Sequence, residues 1–261
     1  MIKFSKMHGN GNEFVIINSL ESEVSLSESF IQNASCKNEG VGFDQLVLVL
    51  PPETHNHDFL IKFFNADGGE AMMCLNGIRC VSKYIWMHHF APMKEMQLET
   101  YNKSILVKPL EDDMVEATVD LPNTYLNDDL EKLIRGHIDI PFSLIDAGNL
   151  HLCIQVQDIK NYKSEELYQQ IESIIKPYSI NLSIYSESSS EVKISTYENG
   201  VGKTLSCGSA AASVASLMLK NTESIKICSE GGYLMFCIED GKLIMRGPTE
   251  FCFNGDINCF V

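Results

Sequence analysis

Two stretches of this chain read as copies of one unit, and a duplicated unit restricts the possible folds more than composition does. The first is Asn65 to Lys83, NADGGEAMMCLNGIRCVSK, which follows the apolar run FLIKFFN. The second is ENGVGKTLSCGSAAASVASLML, beginning at Glu198 and continuing the alternating strand pattern EVKISTYE. Each runs strand, Gly-rich turn, cysteine, helix. In the first copy Ile78, Val81 and Ile85 recur at spacings of three and four, so an apolar helical stripe begins just after Cys74. Cys74 is therefore expected at a helix N-terminus, with Asn76 and Gly77 in the first turn, and Cys207 takes the matching place. Upstream, Gly11-Asn12 matches Gly148-Asn149, with 62 residues from Asn12 to Cys74 and 58 from Asn149 to Cys207. Nine residues before each cysteine a polar residue closes a strand: Asn65 in one copy, Glu198 in the other.

A lone cysteine at a strand–helix turn is ordinarily a packing residue. Two in equivalent places of a duplicated unit suggest chemistry. A helix N-terminus presents backbone N–H groups and the positive end of the dipole, which stabilise a thiolate and can dock a carboxylate. Inverting a stereocentre beside a carboxylate needs such a pair: one thiolate removes the α-proton from one face while a thiol delivers one to the other. The charge that develops on the carboxylate would be met by the helix amides. That chemistry calls for no cofactor and no metal.

Composition narrows the rest. With 261 residues, 44% hydrophobic and 21% charged, the chain has the make-up of a globular protein of one large or two ordinary domains. A net charge of −15 argues against nucleic acid and anionic membrane as partners, while leaving room for a small anionic or zwitterionic amino-acid substrate. No apolar run is long enough to span a bilayer, and no signal peptide opens the chain, so a cytoplasmic protein is expected. Nine cysteines without a C-x-x-C pair fit neither a disulfide framework nor zinc. Cys36, Cys80, Cys153, Cys228, Cys237, Cys252 and Cys259 are expected as core or strand residues without chemistry.

In order, IKFSKMHGN, VIIN, VGFDQLVLVL and FLIKFFN read as strands leading to the first cysteine helix, with residues 97 to 121 a meander. LPNTYLNDD reads as a linker, which places a boundary near Ala117 to Asn127. The second half gives FSLIDAGNLHLCIQV as strand, turn and strand, then the amphipathic helix SEELYQQIESIIK with Leu167, Ile171, Ile174 and Ile175 on one face. NLSIYS and EVKISTYE are strands, and IKICSE, YLMFCIED and KLIMRG form a meander. Asn254-Gly255 carries a hairpin signal near the end.

KMHGNGNEFVIIN, VGFDQLVLV, FFNADGGEAMMCLNGIRC, AGNLH, STYENGVGKTLSCGSA and MRGPTEFCFNGDI resemble, in order, the signatures of the diaminopimelate epimerase family, over essentially the whole chain. The resemblance implies an α+β fold of two pseudo-symmetric domains, each a mostly antiparallel sheet wrapped around a central helix. Their expected extents are 1–118, with a return strand 250–261, and 119–249. It implies a cofactor-independent epimerase acting on diaminopimelate, and it suggests a homodimer. Carried over by motif, Cys74 and Cys207 are the acid/base pair, and His151 and Glu198 orient and tune the thiols. Asn12, Gln45, Asn65, Asn149, Asn181 and Asn199 match substrate-binding positions, and the amides of Leu75, Asn76, Gly208 and Ser209 hold the carboxylate of the inverting centre.

The departures from the family pattern bear on substrate. Leu75 stands where the family usually has Gly, Leu150 replaces a Pro, Asn199 replaces the Arg that binds the distal end of diaminopimelate, and Lys203 replaces a Glu. Asn cannot supply the charge of that Arg, a loss of about 1.5–3 kcal/mol if nothing compensates. An epimerase or racemase of the same mechanism for another amino acid is therefore a second reading. A non-catalytic binding module or thiol redox protein is a third, although a redox protein more often carries a close C-x-x-C.

Overall fold

The structure is a computed structural model and describes residues 1–261 except 22–23, 102, 189–190, 221 and 259–261; Cys259 lies outside the described residues. The chain divides into two compact units, Met1–Thr118 with Arg246–Val261, and Val119–Met245.

The first unit contains β1 (Ile2–Gly9), β2 (Asn12–Asn18), α1 (Glu28–Ser35), β3 (Gln45–Leu50), β4 (Phe59–Asn65), β5 (Glu70–Ala71), α2 (Leu75–Met87), β6 (Met96–Glu99), β7 (Ser104–Pro109) and β8 (Met114–Asp120). Asn10 and Gly11 both have positive φ, 54° and 80°, the backbone that a tight hairpin requires between β1 and β2. Pairing runs β1 with β2, β2 parallel to β3, β3 with β4, β4 parallel to β6, β6 with β7 and β7 with β8. β5 folds back on the end of β4. α1, capped by the Ser27 hydroxyl, covers the sheet with Phe30, Ile31 and Ala34 against Val15, Ile17, Leu46 and Leu48. α2 packs against β1, β2, β3 and β7, and Ile78, Val81 and Ile85 of its apolar stripe are fully buried.

The second unit repeats that order. It contains β9 (Asn123–Thr124), α3 (Asp128–Arg135), β10 (Phe142–Asp146), β11 (Leu150–Gln155), α4 (Ser164–Ile175), β12 (Asn181–Glu187), β13 (Val192–Glu198), β14 (Gly202–Thr204), α5 (Gly208–Met218), β15 (Ser224–Ser229), β16 (Gly232–Glu239) and β17 (Lys242–Pro248). β10 pairs with β11, β11 runs parallel to β12, β12 pairs with β13, β13 runs parallel to β15, and β15 pairs with β16. β14 folds back on β13 as β5 does on β4. α3 and α4 bury Leu130, Ile134, Leu167, Ile171 and Ile175 against Leu152, Ile154, Leu182 and Ile184. Small residues of α5, Ala210, Ala211, Ala212, Ser213 and Ala215, let the helix lie close against β11, β12, β15 and β16.

Two segments differ from their sequence reading. Residues 128–135, not read as a helix, form α3, where Asn127 accepts from the Leu130 amide and Asp128, Asp129 and Glu131 favour the positive end of the helix dipole. Asn254-Gly255 does not turn. It lies inside β18 (Glu250–Ile257), which pairs antiparallel with β1 and sets Gly255 opposite Phe4. A Cβ on Gly255 would stand 2.6 Å from the Phe4 ring, so this glycine serves a close approach and not a hairpin. Cys80 and Cys153 are buried and Cys252 is exposed on β18.

Gly77 is a second close approach. A Cβ there would lie 2.5 Å from Phe63 and 3.0 Å from Phe14, both fully buried rings that cannot swing aside. Alanine would gain up to about 1 kcal/mol of helix propensity and lose about 1–3 kcal/mol to overpacking. Gly77→Ala should therefore lower the urea midpoint of the first unit, followed by the fluorescence of Trp86. A raised midpoint would show that α2 has room to move.

Candidate active site

Each cysteine is the N-cap of its helix, with nearly the same backbone: φ −132°, ψ 119° at Cys74 and φ −122°, ψ 114° at Cys207. The first helical bonds return to the cysteine carbonyls, from Ile78 in α2 and Ala211 in α5. Neither thiol caps its own helix. Leu75 and Asn76, like Gly208 and Ser209, occupy the first two helical positions, where an α-helix offers the N–H no intrahelical acceptor.

In the first unit Asn12, opening β2, holds the thiol. Its Oδ1 accepts from Cys74 Sγ at 3.5 Å and from Asn76 Nδ2 at 3.4 Å. The amide cannot turn over, because Asn12 Nδ2 donates at 2.9 Å to Asp44 Oδ2, a carboxylate oxygen that only accepts. Gln45, opening β3, donates from Nε2 to Asn65 Oδ1 at 2.8 Å across the register pair that joins β3 to β4. Its Oε1 is buried and has no partner among the described residues. Asn65 ends β4 and is exposed.

One turn into α2 lies Arg79, fully buried, donating to the Leu75 carbonyl at 3.3 Å and to Asn76 Oδ1 at 2.9 Å. Burial lowers its pKa to about 10 while the neighbouring Cys80 and Cys74 act in the opposite sense. It therefore remains a cation at neutral pH. Burial pushes the adjacent Cys80 thiol far up, so that thiol stays neutral.

In the second unit the equivalent places hold different residues. His151, on β11, is fully buried, and burial pulls its pKa from 6.5 to about 3, so the ring is neutral. Its Nε2 lies 3.0 Å from Asn149 Oδ1 and 3.0 Å from Ser209 Oγ. Ser209 Oγ lies in turn 3.4 Å from Cys207 Sγ. Glu198 ends β13 with its Oε1 accepting from the Thr204 hydroxyl at 2.6 Å. Asn181, buried at the start of β12, accepts from the Asn199 amide at 2.9 Å, and Asn199 Oδ1 accepts from the Tyr168 hydroxyl at 2.7 Å.

The structure thus joins Asn12 with Cys74 and Asn76, Gln45 with Asn65, His151 with Asn149 and Ser209, and Asn181 with Asn199. Lys203 does not turn toward Asn199; its ammonium pairs with Glu230 at 2.6 Å. Four contributors escaped the sequence reading. Asp44 and Thr204 fix site side chains, Tyr168 fixes Asn199, and Arg79 places a buried charge beside Cys74. Of these only Arg79, a charged residue between Ile78 and Cys80 in a helix buried on nearly every side, stands out from its sequence neighbours. Among the described residues no three His, Cys, Asp or Glu side chains group as a metal ion would require. No helix among them is long and apolar enough to cross a membrane.

The family model for diaminopimelate epimerase matches residues 4–122. A diaminopimelate epimerase from Buchnera aphidicola subsp. Baizongia pistaciae is 30% identical, over 97% of this chain and 95% of its own length. Among solved structures, a phenazine biosynthesis protein of the PhzF family from Bacillus anthracis superposes with a TM-score of 0.73 at 13% identity, covering 98% of this chain and 99% of its own. A hydroxyproline epimerase from Agrobacterium vitis superposes with a TM-score of 0.67 at 13% identity, over 97% and 91%. Those two likenesses are of fold, an α+β architecture of sheets wrapped on helices, while the Buchnera relative matches nearly the full length in sequence. The chain belongs to the diaminopimelate epimerase family of isomerases.

Proposed function

We propose that this epimerase inverts an amino-acid α-carbon by two-base proton transfer between Cys74 and Cys207, converting LL-diaminopimelate to the meso isomer. The observation that carries the reading is the equivalence of the two thiols, each an N-cap with the same backbone in one copy of a repeated unit. One thiolate takes the α-proton and becomes a thiol. The other thiol gives its proton to the opposite face and becomes a thiolate, so the enzyme ends with its roles exchanged and no net change in charge. The amides of Leu75, Asn76, Gly208 and Ser209 meet the carboxylate, where negative charge grows as the proton leaves. Gln45 Oε1, a buried acceptor without a partner among the described residues, suits the substrate ammonium group. His151 is neutral and bonded on Nε2, so it orients and does not itself carry the proton. A thiolate base needs a reducing compartment, which fits the cytoplasm. No step draws on a cofactor.

A second reading keeps the mechanism and changes the substrate. Asn199 presents a neutral amide whose oxygen Tyr168 already occupies, and Lys203 is engaged with Glu230, so neither supplies a ready cation for a distal carboxylate. Two measurements decide. Solvent deuterium should enter the α-position with the wild type and not with the Cys74→Ala, Cys207→Ala double variant; exchange by the double variant would end the two-thiol mechanism. Side-by-side kcat/KM on LL-diaminopimelate and on amino acids with one stereocentre should favour diaminopimelate, and negligible turnover of it would establish the second reading.

A further inference from the structure

The two thiols sit in matched backbone but in unmatched surroundings. Cys74 lies one turn from the buried Arg79 cation, with Asn12 Oδ1 as its hydrogen-bond acceptor. Cys207 has Ser209, and behind Ser209 stands His151. The direction of that second chain follows from its far end. His151 Nδ1 is buried with no partner among the described residues, so a proton there would leave an orphaned N–H donor. Nε2 faces the Asn149 carbonyl oxygen, so the bonding pattern assigns the ring proton to Nε2. Nε2 then has no lone pair for the Ser209 hydroxyl and shares its single N–H between that oxygen and Asn149 Oδ1. The hydroxyl's other partner within reach is Cys207 Sγ at 3.4 Å. Its proton points there.

We infer that Ser209, through its hydroxyl and not only its amide, is a positioning residue that donates to the Cys207 thiolate with its direction set by His151. The inference rests on the two-thiol reading above for its catalytic meaning, though not for its test. It adds to the tuning of the two thiols a difference in their neighbours: a buried charge near Cys74, and a chain of oriented hydrogen bonds through Ser209 at Cys207. It also gives His151 a route to Cys207, because its Nε2 contacts are Asn149 and Ser209 and no bond from the ring to the thiol is formed.

Ser209→Ala keeps the backbone, including the Ser209 carbonyl that accepts from the Ser213 hydroxyl at 2.8 Å, so the helix start is preserved. Peptide-resolved alkylation by iodoacetamide across pH reads each thiol separately. Ser209→Ala should slow Cys207 alkylation roughly tenfold below its titration, with the profile moved to higher pH. Cys74 should keep its profile, and Ser209→Thr should restore that of Cys207. In turnover, kcat should fall roughly tenfold with KM little changed, because the amide that meets the carboxylate remains. An unchanged Cys207 profile, an equal shift at Cys74, or a loss carried wholly by KM would overturn the assignment. The alkylation result stands whether or not the double cysteine variant exchanges deuterium, so failure of this inference and failure of the two-thiol mechanism are told apart.

Discussion

Cys207→Ala is expected to lose roughly 10²- to 10⁴-fold in kcat/KM for inversion, and Cys74→Ala the same, because on the proposed mechanism each removes one of the two proton carriers. KM should change little, since the helix amides beside each cysteine are backbone groups and stay in place. The two single variants should nonetheless differ in a way that no structural role would produce. On the proposed mechanism a remaining thiolate would still serve one side of the substrate carbon, so it would remove and return a proton on that side without inverting the centre. Cys74→Ala and Cys207→Ala should therefore wash solvent deuterium into opposite stereoisomers, each slowly exchanging the isomer the other leaves alone. Mass spectrometry of re-isolated LL- and meso-substrate reads this directly. If both variants exchange the same isomer, or if either still inverts at the wild-type rate, the thiols do not flank one carbon. The double variant should do neither.

The helix positions that make this experiment meaningful were legible in the sequence. Ile78, Val81 and Ile85 fix the phase of α2, and once the phase is fixed Cys74 can only stand at its start; the equivalence with Cys207 follows from the repeat. Asn12, Gln45, Asn65 and Asn181 follow from the family resemblance, and the structure places each at the beginning or end of a strand. What escaped is what depends on three-dimensional neighbours. Ser209 and His151 are 58 residues apart, and only the packing of α5 on β11 brings the hydroxyl to the ring. Asn199 is marked by the resemblance as standing in place of an Arg, whereas the partner of its amide oxygen, Tyr168 on α4, shows only in the structure. Where Lys203 points is likewise not written in the sequence, because its partner Glu230 is distant in the chain. Asn254-Gly255 shows the reverse error: a local turn signal gave way to a strand pairing in which glycine clears the Phe4 ring. α3 was missed because its exposed face is strongly charged and its buried face has only Leu130 and Ile134.

His151 supplies a second large and separable effect, on stability. Its ring is fully buried and its pKa lies at about 3 in the folded chain, against about 6.5 when unfolded. Between those two values the unfolded chain binds a proton that the folded chain does not, so stability rises with pH through the window. The contribution is complete above about pH 6.5 and is lost as pH falls toward 3, with a limiting slope of about 1.4 kcal/mol per pH unit. The useful quantity is the difference from a variant that cannot titrate at this position, which cancels the pH dependence of the rest of the chain. His151→Gln keeps an amide donor for Asn149 and Ser209 and removes the ionisation. At pH 7 the variant should be the less stable of the two, since glutamine fits the ring's cavity poorly. Between pH 7 and pH 4.5 the wild type should lose about 2–3 kcal/mol more than the variant, narrowing or reversing that order. Trp86 is the only tryptophan and lies in the first unit, so its fluorescence does not follow the second. Amide hydrogen exchange in β10 and β12, the strands on either side of β11, reports the right unit. Parallel loss in wild type and variant would mean that His151 gains a partner or solvent on protonation, and a ring with that freedom could not hold Ser209 in one orientation.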